Sequence, residues 1–391
     1  MPKSRRVTLI LDTNMPYHRK IVRGVVAYAR QAGNWSLYAE EDPLEKLPDF
    51  RAWQGHGIIA FIADQKVARA VRAGGLPTVA VEGGYGWYDP KDRIPYYATD
   101  NAAVARMAAD HLIGQGFQRL AYCGVPRNRF TVWSDIRAKA FQQRAKEAGL
   151  PCSLYAAKHL STRNWHELQR SLAQWLRSLE KPVGVMAAND ARARHVLEAC
   201  RAIGARVPDD VAVIGVDNDE LMCELTDPPL TSVEQGARTV GYRAAELLDR
   251  LMAGRKAPQI ANYVLPERVV VRRSTDTLAI EDADVAAAVR FIREHAGQRV
   301  RMEDLVQAVG VSRSTLGARF RKILRKTIHE EVQSVMIGRA QQLILADELP
   351  LKQVATEAGF AHVQHLTNLF RKHLGQTPGE FRKAIRLRPK S

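Results

Sequence analysis

Two sets of side chains in this 391-residue chain are of types and spacings that could do chemistry. The first lies toward the C-terminus and occurs twice, about 50 residues apart. Asp304-Leu-Val-Gln-Ala-Val-Gly-Val-Ser-Arg-Ser-Thr-Leu-x3-Phe320-Arg-Lys322 is echoed by Gln353-Val-Ala-Thr-Glu-Ala-Gly-Phe-Ala-His-Val-Gln-His-Leu-x3-Phe370-Arg-Lys372. Each copy predicts a short apolar helix, a turn at Gly310 or Gly359, and a second amphipathic helix, which is a helix-turn-helix. In the second helix of each copy Leu316 with Phe320, and Leu366 with Phe370, are four apart and share an inward face. The opposite face carries Arg313, Ser314, Gly317, Ala318 and Arg321 in one copy and Gln364, Thr367, Asn368 and Arg371 in the other. Gln and Asn can pair bidentately with adenine, and Thr can bond a base or pack on a thymine methyl. Arg321, Lys322, Arg371 and Lys372 are placed for phosphates or, for Arg, guanine. Double-stranded DNA is the expected partner. Direct base reading is expected to be stronger in the second copy, because Gly317 and Ala318 have little reach.

The second set is Asp12-Thr-Asn14, Glu82 to Tyr85, Asn189-Asp190 and Asp217-Asn218. Each group follows a short β-rich run: Val7 to Leu11, Thr78 to Val81, Val183 to Ala187 and Val211 to Val216. These runs alternate with helical patterns near Arg19 to Gln31, Val67 to Ala73, Ala102 to Ile113, Asp135 to Ala148 and Ala191 to Ile203. That is the grammar of two parallel-sheet units in succession. Ligands of such sheets sit outside the carboxyl ends of the strands, so the polar residues there form the expected lining of a small-molecule cleft.

Beyond Arg272-Arg-Ser-Thr-Asp-Thr-Leu-Ala279 strand signals vanish, and a domain boundary is expected at about residue 276. The remainder is expected to be helical: Ala283 to His295, Met302 to Val309, Ser312 to Leu324, Ile328 to Ala346, Leu351 to Ala358, His362 to His373 and Pro378 to Arg386.

Length allows two or three domains of roughly 100 to 200 residues. A composition of 46% hydrophobic and 26% charged residues is globular and excludes a mostly disordered or collagen-like chain. No apolar run approaches the ~18 to 20 residues of a membrane span, and Val7 to Leu11 is too short for a signal peptide. No membrane partner and a cytoplasmic location are therefore expected. Cys123, Cys152, Cys200 and Cys223 lie far apart with no C-x-x-C, so they are expected to be packed free thiols. His362-x-x-His365 lacks an obvious third ligand, and neither a metal nor a cofactor is expected. The net charge of +16 suits a polyanionic partner. From Glu281 onward 19 Lys/Arg stand against 12 Asp/Glu, a charge density about twice that of the preceding part.

The C-terminal repeat, with its closing Thr377-Pro378-x-x-Phe381-Arg382, resembles the DNA-binding domain of the AraC/XylS family over about 110 residues. Arg325 stands where that family usually has Gly, and Met336 where it usually has Arg. The preceding part resembles the LacI/GalR and periplasmic-sugar-binding fold through Tyr97-Ala-Thr-Asp100-Asn101, Arg119-Leu-Ala-Tyr-Cys-Gly124, Ala188-Asn189-Asp190, Val213-Ile-Gly-Val-Asp217-Asn218 and Leu230-Thr-Ser-Val-Glu-Gln235. These resemblances imply an α/β, two-lobed, periplasmic-binding-protein-like sensor with parallel sheets and three crossovers, followed by an all-α double helix-turn-helix domain. The sensor is expected over 1–275, with lobes of about 1–98 plus 233–258 and 99–232 plus 259–275. A linker is expected at 276–281 and the DNA-binding domain over 282–391, with its motifs at 302–324 and 351–373.

The ligand-binding positions implied by the resemblance are Arg137, Asn189 and Asp217, which could bond vicinal hydroxyls of a polyol; Asp12, Tyr17, Tyr85 and Gln235 are further candidates. The resemblance also implies a sugar effector, D-xylose, and activation of sugar-catabolic genes. A ligand switches only what it binds differently in two states, so a homodimer whose lobe interface senses closure is expected, with RNA polymerase as a further partner. A non-regulatory sugar-binding protein and a sugar-modifying enzyme are the competing classes. With no P-loop, no G-x-G-x-x-G opening a helix, no G-x-S-x-G and no H-E-x-x-H in the sequence, turnover is not expected.

Overall fold

The computed structural model describes residues 4–39, 55–62, 64–82, 94–128, 131–155, 164–257, 260–276, 282–295, 297, 300–324, 326–345 and 349–386. The chain divides into two compact units, Met1–Ile113 with Phe117–Thr277, and Leu278–Ser391 with Gly114–Gly116. In the first unit the chain runs β1 (Arg5–Ile10), α1 (Pro16–Ala32), β2 (Trp35–Ala39), β3 (Gly57–Phe61), α2 (Gln65–Gly74), β4 (Thr78–Val81) and β5 (Tyr96–Thr99). It crosses to a second lobe through α3 (Asn101–Gly114), β6 (Leu120–Cys123), α4 (Val132–Glu147), β7 (Cys152–Tyr155), α5 (Trp165–Ser178), β8 (Val183–Ala187), α6 (Asp190–Ala202), β9 (Val211–Val216), α7 (Glu220–Glu224) and β10 (Thr231–Glu234). It returns to the first lobe as α8 (Ala237–Met252) and β11 (Ala261–Val264). It crosses a third time into β12 (Arg268–Val270) and a short 3-10 turn at Arg273–Thr275.

Two six-stranded sheets result, ordered β11-β5-β4-β3-β1-β2 and β12-β10-β9-β8-β6-β7. Their pairings are parallel except β10 with β12. Because helices cover both faces of a parallel sheet, the central strands β3, β4, β6, β8 and β9 are almost wholly buried apolar runs.

One expectation needs correction. The lobe division placed 259–275 entirely in the second lobe, yet β11 extends the first sheet, with Ala261 opposite Tyr96 and Val264 opposite Thr99. The edge of β5 offers β11 a parallel ladder, reinforced by Asn262 Nδ2 donating to the Tyr96 carbonyl at 3.1 Å and by the Tyr96 and Tyr263 hydroxyls at 3.1 Å. The third crossing therefore lies between Val264 and Arg268.

Helix α8 was not among the elements expected from sequence, and it forms the tightest helix contact of the first lobe. It crosses α1 backbone to backbone: a Cβ placed on Gly24 would lie 2.0 Å from the Arg238 carbonyl oxygen, and one on Gly241 1.9 Å from that of Ile21. Around this crossing Val7, Leu9, Ile21, Val25, Val240, Ala244 and Leu248 form one core against the sheet.

The second unit is built from α9 (Ala283–Glu294), α10 (Met302–Val309), α11 (Arg313–Leu324), α12 (Ile328–Leu345), α13 (Leu351–Glu357), α14 (Val363–Leu374) and α15 (Pro378–Arg386). It has two cores. Val285, Val289, Leu305, Leu316 and Phe320 meet Ile328, Val332 and Val335 from the first half of α12. Val354, Phe360, Leu366 and Phe370 meet Ile337, Ala340 and Ile344 from its second half. Met336, in place of the usual Arg, packs its side chain against this second core. Thus α12 is a single strut, roughly 27 Å long at 1.5 Å per residue, that belongs to both helix-turn-helix modules.

Gly241→Ala is expected to force α1 and α8 apart and to destabilise the sensor by about 1 to 3 kcal/mol, the usual cost of overpacking. Urea unfolding of the full-length protein checks this, and an unchanged sensor transition would contradict the close crossing.

Candidate functional site

The carboxyl ends of the two sheets converge on Arg137, which lies on α4 and is 4% exposed. Its Nε donates to Asn101 Oδ1 at 2.8 Å, Nη1 to the Ala188 carbonyl at 2.5 Å and Nη2 to Gln235 Oε1 at 2.9 Å. The guanidinium lies 4.6 Å from the centroid of the Trp133 ring. Gln235 in turn donates from Nε2 to Asp217 Oδ1. Arg137, Gln235 and Asp217 therefore form a continuous line of guanidinium, amide and carboxylate.

From the first lobe Tyr17 shares a hydrogen bond with Thr99 Oγ1 at 2.9 Å, and Thr99 donates to the Gln235 carbonyl at 3.0 Å. Glu82, directly after β4, has no hydrogen bond to its carboxyl group among the described residues; His18 Nε2 lies 3.8 Å from it. His18 is fully buried. Its Nδ1 is 3.2 Å from the Asp12 carbonyl, whereas Nε2 has no partner. A carbonyl can only accept, so Nδ1 carries the proton and Nε2 is a bare acceptor.

Burial disfavours charge throughout this cleft. It pushes Glu82 up to about 7, with Asp217 adding to the rise. Asp217 is pushed up to about 6 by burial, with Arg137 and Lys20 opposing. Asp190 is raised by burial and then by Asp217. Burial also lowers His18 to about 4 and raises Tyr17. The backbone is strained at the same place. Among the described residues the non-glycine positions with positive φ are Glu82 (69°), Asp217 (112°) and Asn218 (48°). Such conformations cost of order 1 to 3 kcal/mol each and cluster at functional sites. Lys20 of α1 reaches across to brace two of them, its Nζ donating to the Asp217 and Asn218 carbonyls at 2.8 and 2.9 Å and to Glu234 Oε1 at 3.3 Å.

Of the residues expected from sequence, Tyr17, Arg137, Asp217 and Gln235 join this network. Asn189 spends its side-chain oxygen on capping α6, accepting from the Arg192 amide at 2.9 Å. Asp12 accepts from the Asn14 amide at 2.9 Å at the end of β1. Tyr85 lies outside the described residues. Sequence reasoning missed His18, Lys20, Thr99, Asn101 and Trp133, and it named Glu82 only as a strand end. A polar residue directly after a buried run was an available signal for Glu82. No sequence signal marks Lys20, whose acceptors are backbone carbonyls 197 and 198 residues away.

In the second unit Leu316, Phe320, Leu366 and Phe370 are buried. Arg313, Ser314, Ala318, Arg321 and Lys322 are exposed on α11, and Gln364, Asn368, Arg371 and Lys372 on α14. Gln364 Nε2 donates to Asn368 Oδ1 at 3.2 Å. Thr367, half-buried, donates its hydroxyl hydrogen to the Val363 carbonyl at 2.9 Å. The turns before these helices pass through Gly310 (φ 78°) and Gly359 (φ 86°), left-handed positions that glycine occupies without strain. Both modules also end alike: Thr327 with Glu330, and Thr377 with Glu380, form reciprocal caps at the starts of α12 and α15.

A cleft at the carboxyl ends of two parallel sheets, followed in the chain by paired helix-turn-helices, is the architecture of a transcriptional regulator with a small-molecule sensor. Residues 6–102 match the XylR N-terminal domain, 109–275 the periplasmic binding protein-like domain and 305–384 a helix-turn-helix domain. The chain is 34% identical over 381 residues to the xylose operon regulatory protein of Escherichia coli K12, covering 97% of each. It is 34% identical over 378 residues to that of Haemophilus influenzae, covering 96% of this chain and 98% of the other. A solved structure described as the xylose-binding transcription activator XylR aligns with TM-score 0.64 and 33% identity, covering 98% of this chain and 99% of that one. The chain belongs to the family of xylose operon regulatory proteins.

The raised Glu82 sets a pH test. A carboxyl that binds its proton more tightly folded than unfolded contributes stability that is complete below about 4.5 and is lost as pH rises toward 7. Glu82→Gln removes this dependence. The variant's advantage in melting temperature over wild type should be largest near pH 8 and shrink on acidification through that window. A pH-independent difference would contradict the burial of an ionisable Glu82.

Proposed function

We propose that this protein is a D-xylose-dependent activator of sugar-catabolic genes. The observation that carries the reading is the line Arg137, Gln235 and Asp217 facing Tyr17, His18 and Glu82. It mixes fixed donors with bare acceptors, the chemistry that a neutral polyol demands and an ionic ligand does not. The named relatives supply the particular sugar and the sign of regulation. Arg137, Asn189 and Asp217 bond the sugar hydroxyls, with Asp12, Tyr17, Tyr85 and Gln235 completing the site. The sugar leaves chemically unchanged.

Binding acts as a switch because the hydroxyls bridge groups from both lobes, so the sugar has higher affinity for the closed lobes than for the open ones. A ligand binding both states equally would shift nothing. Lobe closure changes how a homodimer presents its helix-turn-helix units to DNA in the cytoplasm and allows contact with RNA polymerase. Gln364, Thr367 and Asn368 read base edges. Arg321, Lys322, Arg371 and Lys372 meet phosphates or, for Arg, guanine, and Arg313, Ser314 and Ala318 complete the face that α11 turns to the groove.

Calorimetric titration with D-xylose, with L-arabinose, D-ribose and D-glucose as controls, tests the effector. Selective heat with D-xylose is expected, and silence with D-xylose alongside binding of another sugar would overturn it. Asp217→Ala should abolish that heat while leaving duplex binding without sugar intact; full retained sugar affinity would show that the cleft is misassigned. Asn368→Ala should relax specificity at one base position by about 1 to 3 kcal/mol, read as a flattened base preference in selection from a random duplex pool. An unchanged preference would remove Asn368 from the reading face.

A further inference from the structure

We propose that Arg272 is a positioning residue that ties the left-handed corner of the sugar cleft to the segment leading out of the sensor, and that the effect of sugar on DNA binding passes through it. This rests on the sugar-responsive reading and extends it to the route of response.

The corner is Asn218. Its carbonyl accepts from Lys20 of the first lobe at 2.9 Å, while its side-chain Oδ1 accepts from Arg272 Nη2, also at 2.9 Å. Its amide donates to Ser232 Oγ at 2.9 Å. Asn218 therefore touches the opposite lobe with one oxygen and the end of the sensor with the other. Its φ of 48° follows the 112° of Asp217, so any change in how Lys20 engages this pair alters a backbone already held away from its relaxed form.

Arg272 is itself fixed to the second sheet. Its Nη1 donates to the Leu230 carbonyl at 2.9 Å, its amide to Thr231 Oγ1 at 2.8 Å, and its carbonyl accepts from the Thr231 hydroxyl at 2.8 Å. The residues that follow are stitched down in the same way. Ser274 Oγ donates to the Val213 carbonyl at 2.7 Å and accepts from the Thr231 amide at 2.8 Å. Thr275 Oγ1 bonds Thr231 Oγ1 at 2.8 Å and meets His111 Nε2 at 2.9 Å. Ser274 and Thr275 are fully buried. The last residues of the sensor thus leave from a rigid knot, and Arg272 joins this knot to the side chain of Asn218, while Ser232 of β10 holds the Asn218 amide.

A purely structural staple predicts a different outcome from a coupling residue. Losing a staple lowers stability and leaves sugar and DNA energetically linked in the molecules that fold. Losing a coupling residue leaves each ligand's affinity near wild type and removes the linkage, which must vanish in both directions.

The test uses the full chain, D-xylose, and a duplex selected by the wild-type protein from a random pool in the presence of D-xylose. Duplex affinity is measured with and without sugar, and sugar affinity with and without duplex. Wild type is expected to show a coupling factor within the usual range of about 5- to 150-fold, and Arg272→Met to bring it below about twofold with little change in sugar affinity alone. Arg272→Lys, which replaces a planar fork by a point charge, should restore only part of it. Asn218→Gly keeps the left-handed backbone and the carbonyl that meets Lys20 but removes Oδ1. It must reproduce the loss, and it decides the matter if Arg272→Met fails to fold. Undiminished coupling in the folded variants would overturn the proposal. Wild-type protein that binds D-xylose with no effect on duplex affinity would overturn the sugar-responsive reading itself, and this inference with it.

Discussion

The sensor is organised around a buried cation that cannot give up its charge. Arginine stays protonated under all ordinary conditions, and a buried charge is tolerated only when it is paired and hydrogen-bonded. Arg137 therefore draws in acceptors from three separate segments: Asn101 at the first crossing, the Ala188 carbonyl after β8, and Gln235 after β10. Gln235 passes the constraint to Asp217. Once these strand ends are registered on one guanidinium, several carboxyl groups are brought close together in a dry place. Burial then raises Glu82, Asp217 and Asp190 together, and the nearby Asp217 adds to the rise at Glu82 and Asp190. The strained backbone at Glu82, Asp217 and Asn218 belongs to the same arrangement.

The helical unit meets a different constraint. Helices of 7, 8 and 12 residues are too short to be stable alone in water, so each must be held by tertiary packing. The solution is α12, whose first half closes one core and whose second half closes the other. A helix that serves two cores in succession shows no single apolar stripe along its length. For the same reason it fixes the separation of the two modules more firmly than a loop could. The duplicated Thr-x-x-Glu caps at Thr327 and Thr377 start α12 and α15 in matching fashion, which extends the repeat beyond the two helix-turn-helices.

How much was legible in the sequence depended on how local the signal was. The helices of the second unit follow from apolar spacing and turn glycines, and α10 and α15 run over the expected residues. The buried strands of the first unit were visible as short β-branched runs. Helix α8 was legible too, since Val240, Ala244, Leu247, Leu248 and Leu251 recur at helical spacing; what the sequence could not show is its glycine contact with α1, more than 200 residues away, nor β11, whose four mixed residues carry no strong pattern until the edge of β5 receives them. Within the cleft the positions that repeat a family motif, Arg137 and Asp217, could be named. His18 and Lys20 could not, since an ordinary imidazole and an ordinary ammonium acquire their meaning only from what faces them.

By itself the sequence determined the class of each unit, the twofold repeat, and the polar character of the strand ends. Periodicity and residue type act over a few residues and survive being read along a line. The tertiary structure alone decided which polar ends meet, which of them are spent on caps, as Asn189 is, and which carboxyl groups are raised above the ordinary carboxylate range. Those properties arise from burial and from distances between residues far apart in the chain, and a linear pattern contains neither.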